Sequence, residues 1–412
     1  MRKQPVPGWK TTLAQLGVPG PGKIATNSDP GWSTPFVGGL GDRAYFVASG
    51  PSAQSTQWWL TGISVHDGRP LFPPAPLSTE QLPPHCFLNG PDSVFCLRND
   101  THAVTAWVID AHSGKILFIG PTDLRVYPPT LTVRQVGIYA VAETNKQGVH
   151  GIGPHAETTW FVRGDGTVHE KDSGTTNVAP LTVATQTAAD RGSDGRVVFS
   201  LSDGHVIKPE TDGDSEQQST LVYPGGFAAE IRSGGRLSVP KVEFFNDSGK
   251  RTSRVSVAGE IVTSVVGKPD LPIIESNTPN NWAVFTPEGG KLLEVSGDAP
   301  AYSLLIGSRL FVQEPANGAE RHWQQYDLQT GAKGRACEAD MLGYIGSDGA
   351  VAVLKNGNAN IGLVTKAIDL QTCDTLWTLR SEGSFRNVWR VGATLVQLSD
   401  DGTQLMSLVA PG

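Results

Sequence analysis

The sequence predicts an all-β protein, a single β-propeller of four-stranded blades spanning residues 1–412. Three observations lead there: a high content of turn-formers, a hairpin pattern that recurs along the whole chain, and a spacing between hairpins that matches one blade. Of the 412 residues, 48 are Gly and 29 are Pro. That is about 19% of the chain against roughly 12% in ordinary sequences, and it excludes a helical bundle. The length is enough for two or three average domains, yet a closed β architecture can absorb it around one ring-shaped core.

The recurring unit is a short apolar run, an acidic or polar turn ending in Gly, and a second apolar run, which reads as a β-hairpin. The clearest copies are Trp107–Phe118 around Gly114, Trp323–Gly331, and Ala367–Trp377 around Cys373. Weaker copies turn at Gly68, Gly166, Gly204, Gly249, Gly290 and Gly402. Glycine at such turns has a local cause, because hairpin turns need positive φ, which a β-carbon makes costly. Successive turns lie 46, 52, 38, 45, 41, 41, 42 and 29 residues apart. All but the last interval fit the period of a four-stranded blade, whose faces are buried only by neighbouring blades, so that the ring must close to be stable.

Apolar runs upstream of the turns, Asp42–Val47, Asp92–Cys96, Gly137–Val141, Arg309–Val312 and Gly349–Leu354, are assigned to the inner strands lining the channel. The short final interval and the unpaired opening stretch Trp9–Leu16 predict that the N-terminal strand pairs with the C-terminal one near Thr403–Leu408. Counting the nine turns against that shared closure, with those at Gly204 and Gly402 read as belonging to incomplete copies, leaves seven or eight blades; eight is the expected number, with seven as the alternative.

The Asp-x-x-Thr-Gly-x-x-x-Trp cadence of Asp327–Gly331 and Asp369–Trp377, with Asp110–Phe118 close behind, resembles the repeat of the PQQ-like β-propeller family. Quinoproteins of that family hold their cofactor with a vicinal cysteine pair, which this chain lacks, so no PQQ and no other cofactor is expected. Outer-membrane assembly lipoproteins of the same fold are scaffolds without chemistry, and they begin with a lipidated cysteine that is also missing here. In size and composition the chain is similar to the actinobacterial periplasmic propellers of the polar growth factor A type. That resemblance implies binding of a mycolic-acid glycolipid, trehalose monomycolate, and cooperation with a lipid transporter.

Cys86, Cys96, Cys337 and Cys373 lack the C-x₂-C spacing of zinc or redox motifs and read as two disulfides, with an oxidising compartment. Cys86 pairs with Cys96 at the entry to one blade. Cys337 pairs with Cys373, whose separation of 36 residues approximates one blade period and places them on neighbouring blades. A periplasmic or cell-surface protein is expected, held by an N-terminal segment outside this chain. No apolar run approaches the ~20 residues of a membrane-spanning helix. The net charge of −7, without a basic tract, leaves nucleic acid no electrostatic footprint, and a monomer is expected.

No nucleophile elbow, H-E-x-x-H or phosphate loop is present, so a non-enzyme is expected. The first function class is therefore a ligand- or partner-binding propeller of envelope biogenesis. The alternatives are a protein-protein scaffold and a propeller lyase or glycosidase. His150, His155 and Glu157, and the run Asp212, Asp214 and Glu216, are the two places where a metal could be held; both are better read as polar loops. Aromatic side chains are the remaining signal. Trp107, Trp323 and Trp377 flank repeat turns and are assigned to the core. Trp58 and Trp59 must point to opposite faces of one strand, which leaves one of them exposed or covering a loop. Trp32, Phe36, Trp282 and Trp389 lie outside the repeat strands and form the expected ligand-binding set at one mouth of the channel.

Overall fold

The computed structural model describes residues 2–24, 35–51, 55–98, 104–128, 130–170, 181–189, 195–212, 215–233, 239–253, 256–262, 271–276, 281–314, 322–358, 362–380, 388–399 and 401–409. Within them there is one short 3₁₀ turn, Met341–Gly343, and otherwise only strands. Blade 1 consists of Phe36–Leu40, Arg43–Pro51, Thr56–Ser64 and Ala75–Thr79 in antiparallel order, with Lys23–Ile24 added beside Arg43–Pro51. Blades 2 (His85–Pro121) and 3 (Thr132–Arg163) repeat the four-stranded pattern, as do blades 7 (Ser303–Cys337) and 8 (Tyr344–Arg380). Blade 4 shows three strands, Val183–Thr187, Arg196–Ser200 and Val206–Ile207.

Blades 5 and 6 run into each other. Strand Val257–Ile261 pairs through Val257 and Ala258 with Lys241–Val242, and through Gly259–Ile261 with Ile274–Ser276. The result is one seven-stranded sheet from Ser215 to Ser296. Blade 9 is made by both chain ends: Val388–Val391, Thr394–Leu398 and Gln404–Val409, with Val6–Thr12 as its outermost strand. Val6 stands opposite Val409, and Thr12 opposite Gln404.

The ring has nine blades rather than eight or seven. Among the described residues, the buried apolar side chains fall into nine clusters, each bridging two consecutive blades. Tyr45, Trp58 and Leu60 of blade 1 meet Val94, Trp107 and Ile109 of blade 2. Tyr223 and Phe244 of blade 5 meet Ile274 and Phe285 of blade 6. The circle is completed where Val391, Val396 and Leu405 of blade 9 pack on Ile24, Ala44 and Phe46 of blade 1. A closed ring has as many interfaces as blades, so the fused sheet counts twice. The discounted turn at Gly204 belongs to a genuine blade.

Seven of the sequence-marked turns lead into the last described strand of a blade, with positive φ at Gly68, Gly114, Gly204, Gly249, Gly331 and Cys373, and at Gly289 in the turn marked at Gly290. Gly166 and Gly402 do not. Gly166 follows the last strand of blade 3, whose outer hairpin turns through Ala156, and Gly402 joins the second and third strands of blade 9. In the turns at Gly114, Gly331 and Cys373 the acidic residue that opens the turn caps it. Asp110 Oδ1 accepts the N–H of His112 at 3.1 Å and of Ser113 at 2.7 Å, and Asp327 Oδ1 accepts those of Gln329 and Thr330 at 2.9 and 3.2 Å. The side chain thus supplies an acceptor where the backbone reverses.

The assignment of the most apolar runs to the channel is also corrected. Arg43–Pro51, Ser93–Leu97, Tyr139–Thr144, Arg309–Gln313 and Val351–Asn358 are the second strands of their blades. First strands of neighbouring blades approach one another, as Phe36–Leu40 does with His85–Leu88 and Val388–Val391, which makes them the innermost. A second strand is paired on both edges and covered on both faces, the setting that demands continuous hydrophobicity.

Cys86 and Cys96 stand opposite each other on adjacent strands and are bonded within blade 2. Cys337, on the outer strand of blade 7, is bonded to Cys373 in the outer turn of blade 8.

Candidate functional site

The structure brings two of the four expected ligand-binding aromatics together and separates a third. Phe36 opens the innermost strand of blade 1, and Trp389 lies on the innermost strand of blade 9, so the two meet across the seam where the ring closes. Their rings stack with centroids 5.4 Å apart and planes 27° apart. Phe46, fully buried, completes the cluster at 5.4 Å from Phe36 and 5.5 Å from Trp389. Sequence reasoning missed Phe46, although a signal existed: Phe36 and Phe46 flank the tight turn at Gly41 and pair in register.

Phe36 and Trp389 are partly buried, both packed against the core cluster that joins blades 9 and 1. Beside them the Arg390 guanidinium donates to the Gly392 carbonyl at 3.0 Å and to the Tyr344 hydroxyl at 3.4 Å, which ties this strand to blade 8. Burial pushes the Tyr344 hydroxyl above its ordinary pKa, only partly offset by Arg390, so it stays a neutral partner. This seam combines partly buried aromatic rings with a fixed cation, a combination suited to recognition by stacking and contact.

Trp282 is corrected from a loop position to the core. It lies on strand Asn281–Phe285, is 2% exposed, and packs edge-on against Tyr326 between blades 6 and 7. Trp32 lies outside the described residues. Trp58 and Trp59 do point to opposite faces, but neither is exposed: Trp58 fills the interface of blades 1 and 2, and Trp59 that of blades 9 and 1. Two interfaces flank every blade, so both faces of its strands are interior. Trp107 and Trp323 are buried, and Trp377 is half-buried against the blade 8–9 interface.

The candidate metal ligands are engaged locally. His150 stacks on Phe161 at 4.6 Å, and its partial burial holds its pKa below the ordinary value. The His155 N–H donates to Glu157 Oε2 at 2.7 Å, inside the turn that Ala156 closes. Asp212 is paired with Arg251 at 3.0 Å, Glu216 sits on the first strand of blade 5, and Asp214 lies outside the described residues. Among the described residues, no three His, Cys, Asp or Glu side chains group to hold a metal.

Comparison with known proteins places these features in a family. A conjugation-associated 9-bladed beta-propeller domain matches residues 1–411. An uncharacterised protein of Mycolicibacterium smegmatis (strain MKD8) is 38% identical over 425 residues, covering 100% of this chain and 86% of that protein. Among solved structures, BamB from Moraxella catarrhalis superposes with a TM-score of 0.44 at 11% identity, covering 98% of this chain and 100% of that one. The computationally designed Ika8 protein gives 0.41 at 14% identity, over 77% and 93%. Nine packed interfaces and a match along nearly the whole length agree, and the chain belongs to the conjugation-associated nine-bladed β-propeller family.

Proposed function

We propose that this chain is a non-catalytic, extracytoplasmic interaction scaffold of a conjugation apparatus, and that it docks a protein partner at the ring seam around Phe36 and Trp389. The observation that carries the reading is the family match over residues 1–411. Two disulfides support a location outside the reducing cytoplasm. The partly buried aromatic pair at the ring seam supplies the kind of rigid apolar anchor on which protein interfaces concentrate their binding energy. DNA itself is not the ligand on this reading. With a net charge of −7 the chain has no cationic track, and it should fail to retain duplex DNA at about 0.15 M salt.

A second reading, favoured by the same stacked pair, is that Phe36 and Trp389 hold the sugar face of a glycolipid such as trehalose monomycolate in cooperation with a lipid transporter. One experiment separates them. A donor strain lacking the gene is complemented with the wild type or with the F36A/W389A variant, and mating transfer is counted beside trehalose monomycolate binding by the purified proteins. The scaffold reading expects transfer to fail without the gene and to be rescued by the wild type but not by a normally folded F36A/W389A variant, with no glycolipid bound by either. Normal transfer in the deletion strain refutes it. Glycolipid binding that the double substitution abolishes moves the assignment to the second reading.

A further inference from the structure

The outer turn of blade 8 carries a cysteine where the turns of the same form in blades 2 and 7 carry a glycine. Asp110–Gly114, Asp327–Gly331 and Asp369–Cys373 close in the same way, with the N–H of the fifth residue donating to the carbonyl of the first at 2.9, 2.8 and 2.8 Å. That fifth residue has φ of +68° and +70° at the two glycines, and +63° at Cys373. A side chain in the left-handed region is disfavoured, and here it reaches across to Cys337, which is fully buried against blade 8. The opposite side of the same turn holds the ring-closing strand. The Asp369 carboxylate, 6% exposed, receives Arg2 at 2.6 Å through one oxygen, and through the other it caps the turn by accepting the N–H of Gln371 and Thr372 at 2.8 and 3.1 Å. Arg2 leads directly into Val6–Thr12, the strand that completes blade 9. One turn therefore ties blade 7 by a disulfide and the ring closure by an ion pair.

We propose that the Cys337–Cys373 disulfide is a redox-operated lock on ring closure, opened by a dithiol oxidoreductase. Cys373 is the half-exposed partner and Cys337 the buried one, so the attacking thiolate reaches Cys373 Sγ. A mixed disulfide forms there as the Cys337 sulfur leaves as a thiolate and takes up a proton. The second thiol of the oxidoreductase then displaces Cys373, so that two electrons pass from the dithiol, which becomes a disulfide, to the pair, which becomes two thiols. Freed of its partner, Cys373 leaves the left-handed conformation, the cap on Asp369 loosens, and Arg2 loses its anchor. The Cys86–Cys96 bond joins neighbouring strands inside one blade and carries no such coupling.

The test is native-state reduction by a thioredoxin-type dithiol protein, with alkylation and peptide mass mapping, followed by hydrogen exchange. Selective reduction of Cys337–Cys373 in the folded protein is expected, with faster exchange at 369–374 and at Val6–Thr12. Two double variants isolate the cause. C337A/C373A keeps a β-carbon in the left-handed turn and should exchange about fivefold or more faster than the oxidised protein in both segments, whereas C337A/C373G should match it. Arg2→Ala should make exchange at Val6–Thr12 indifferent to reduction. Reduction that occurs only with global unfolding overturns the proposal, as does identical exchange in the two double variants.

Discussion

Replacing Trp282 by Ala tests whether this side chain is wall or ligand site. Its indole is 2% exposed and is enclosed by Ile273, Val284 and Leu293 of blade 6 and by Leu310, Val312 and Tyr326 of blade 7. Burying roughly 200 Å² of aromatic surface at about 25 cal/mol per Å² gives an upper figure of about 5 kcal/mol. Measured Trp-to-Ala changes in cores fall at about 3–5 kcal/mol because a cavity remains. Urea unfolding followed by tryptophan fluorescence should show the midpoint falling with an unchanged slope. Trp389→Ala is the internal control: only partly buried, it should lose only about 1–2 kcal/mol. If Trp282→Ala cost less than about 1 kcal/mol, a figure proper to a surface site, the placement of this residue between two blades would be wrong.

Two glycines of equal φ should respond differently to alanine. A β-carbon at Gly331 meets only the Leu292 carbonyl at 3.8 Å, so Gly331→Ala should cost only the backbone term of about 1–2 kcal/mol. At Gly114 the added carbon would overlap the Phe72 ring of blade 1, so Gly114→Ala should lower the melting temperature clearly further. Glu230 supplies a pH dependence. Its carboxylate, 6% exposed, accepts the Ile261 N–H at 2.6 Å between blades 5 and 6, and burial raises its pKa above the ordinary carboxylate range. The folded state then binds the proton more tightly than the unfolded state, so this group weakens the fold as pH rises from the unfolded pKa to the raised folded one. Glu230→Gln keeps an acceptor for Ile261, so the variant should gain stability at pH 7 and flatten the stability profile over that window. An unchanged profile would show that Glu230 is not the titrating group.

Turn chemistry is local, and the sequence displayed it. Aspartate followed four residues later by glycine is a self-contained hydrogen-bonded unit, so Gly114 and Gly331 were legible without knowledge of any neighbour, as was the period that makes the chain a propeller. The cysteine spacing likewise carried both pairings, because one blade period separates Cys337 from Cys373. Blade number was different in kind. Nine turns could be counted, but whether a weak copy such as that at Gly204 is a blade depends on what packs against it, and only the closed circle of interfaces decides that. The same holds for the aromatics. The sequence around Trp282 and Trp389 looks alike, an aromatic beside polar neighbours, yet one is sealed between blades 6 and 7 and the other faces the seam of the ring. Burial in a propeller is conferred by the adjacent blade, and Phe36 meets Trp389 only because the two ends of the chain share a blade boundary. Composition and turn residues set the fold through nearest-neighbour physics, whereas the site was set by closure, which no stretch of sequence contains.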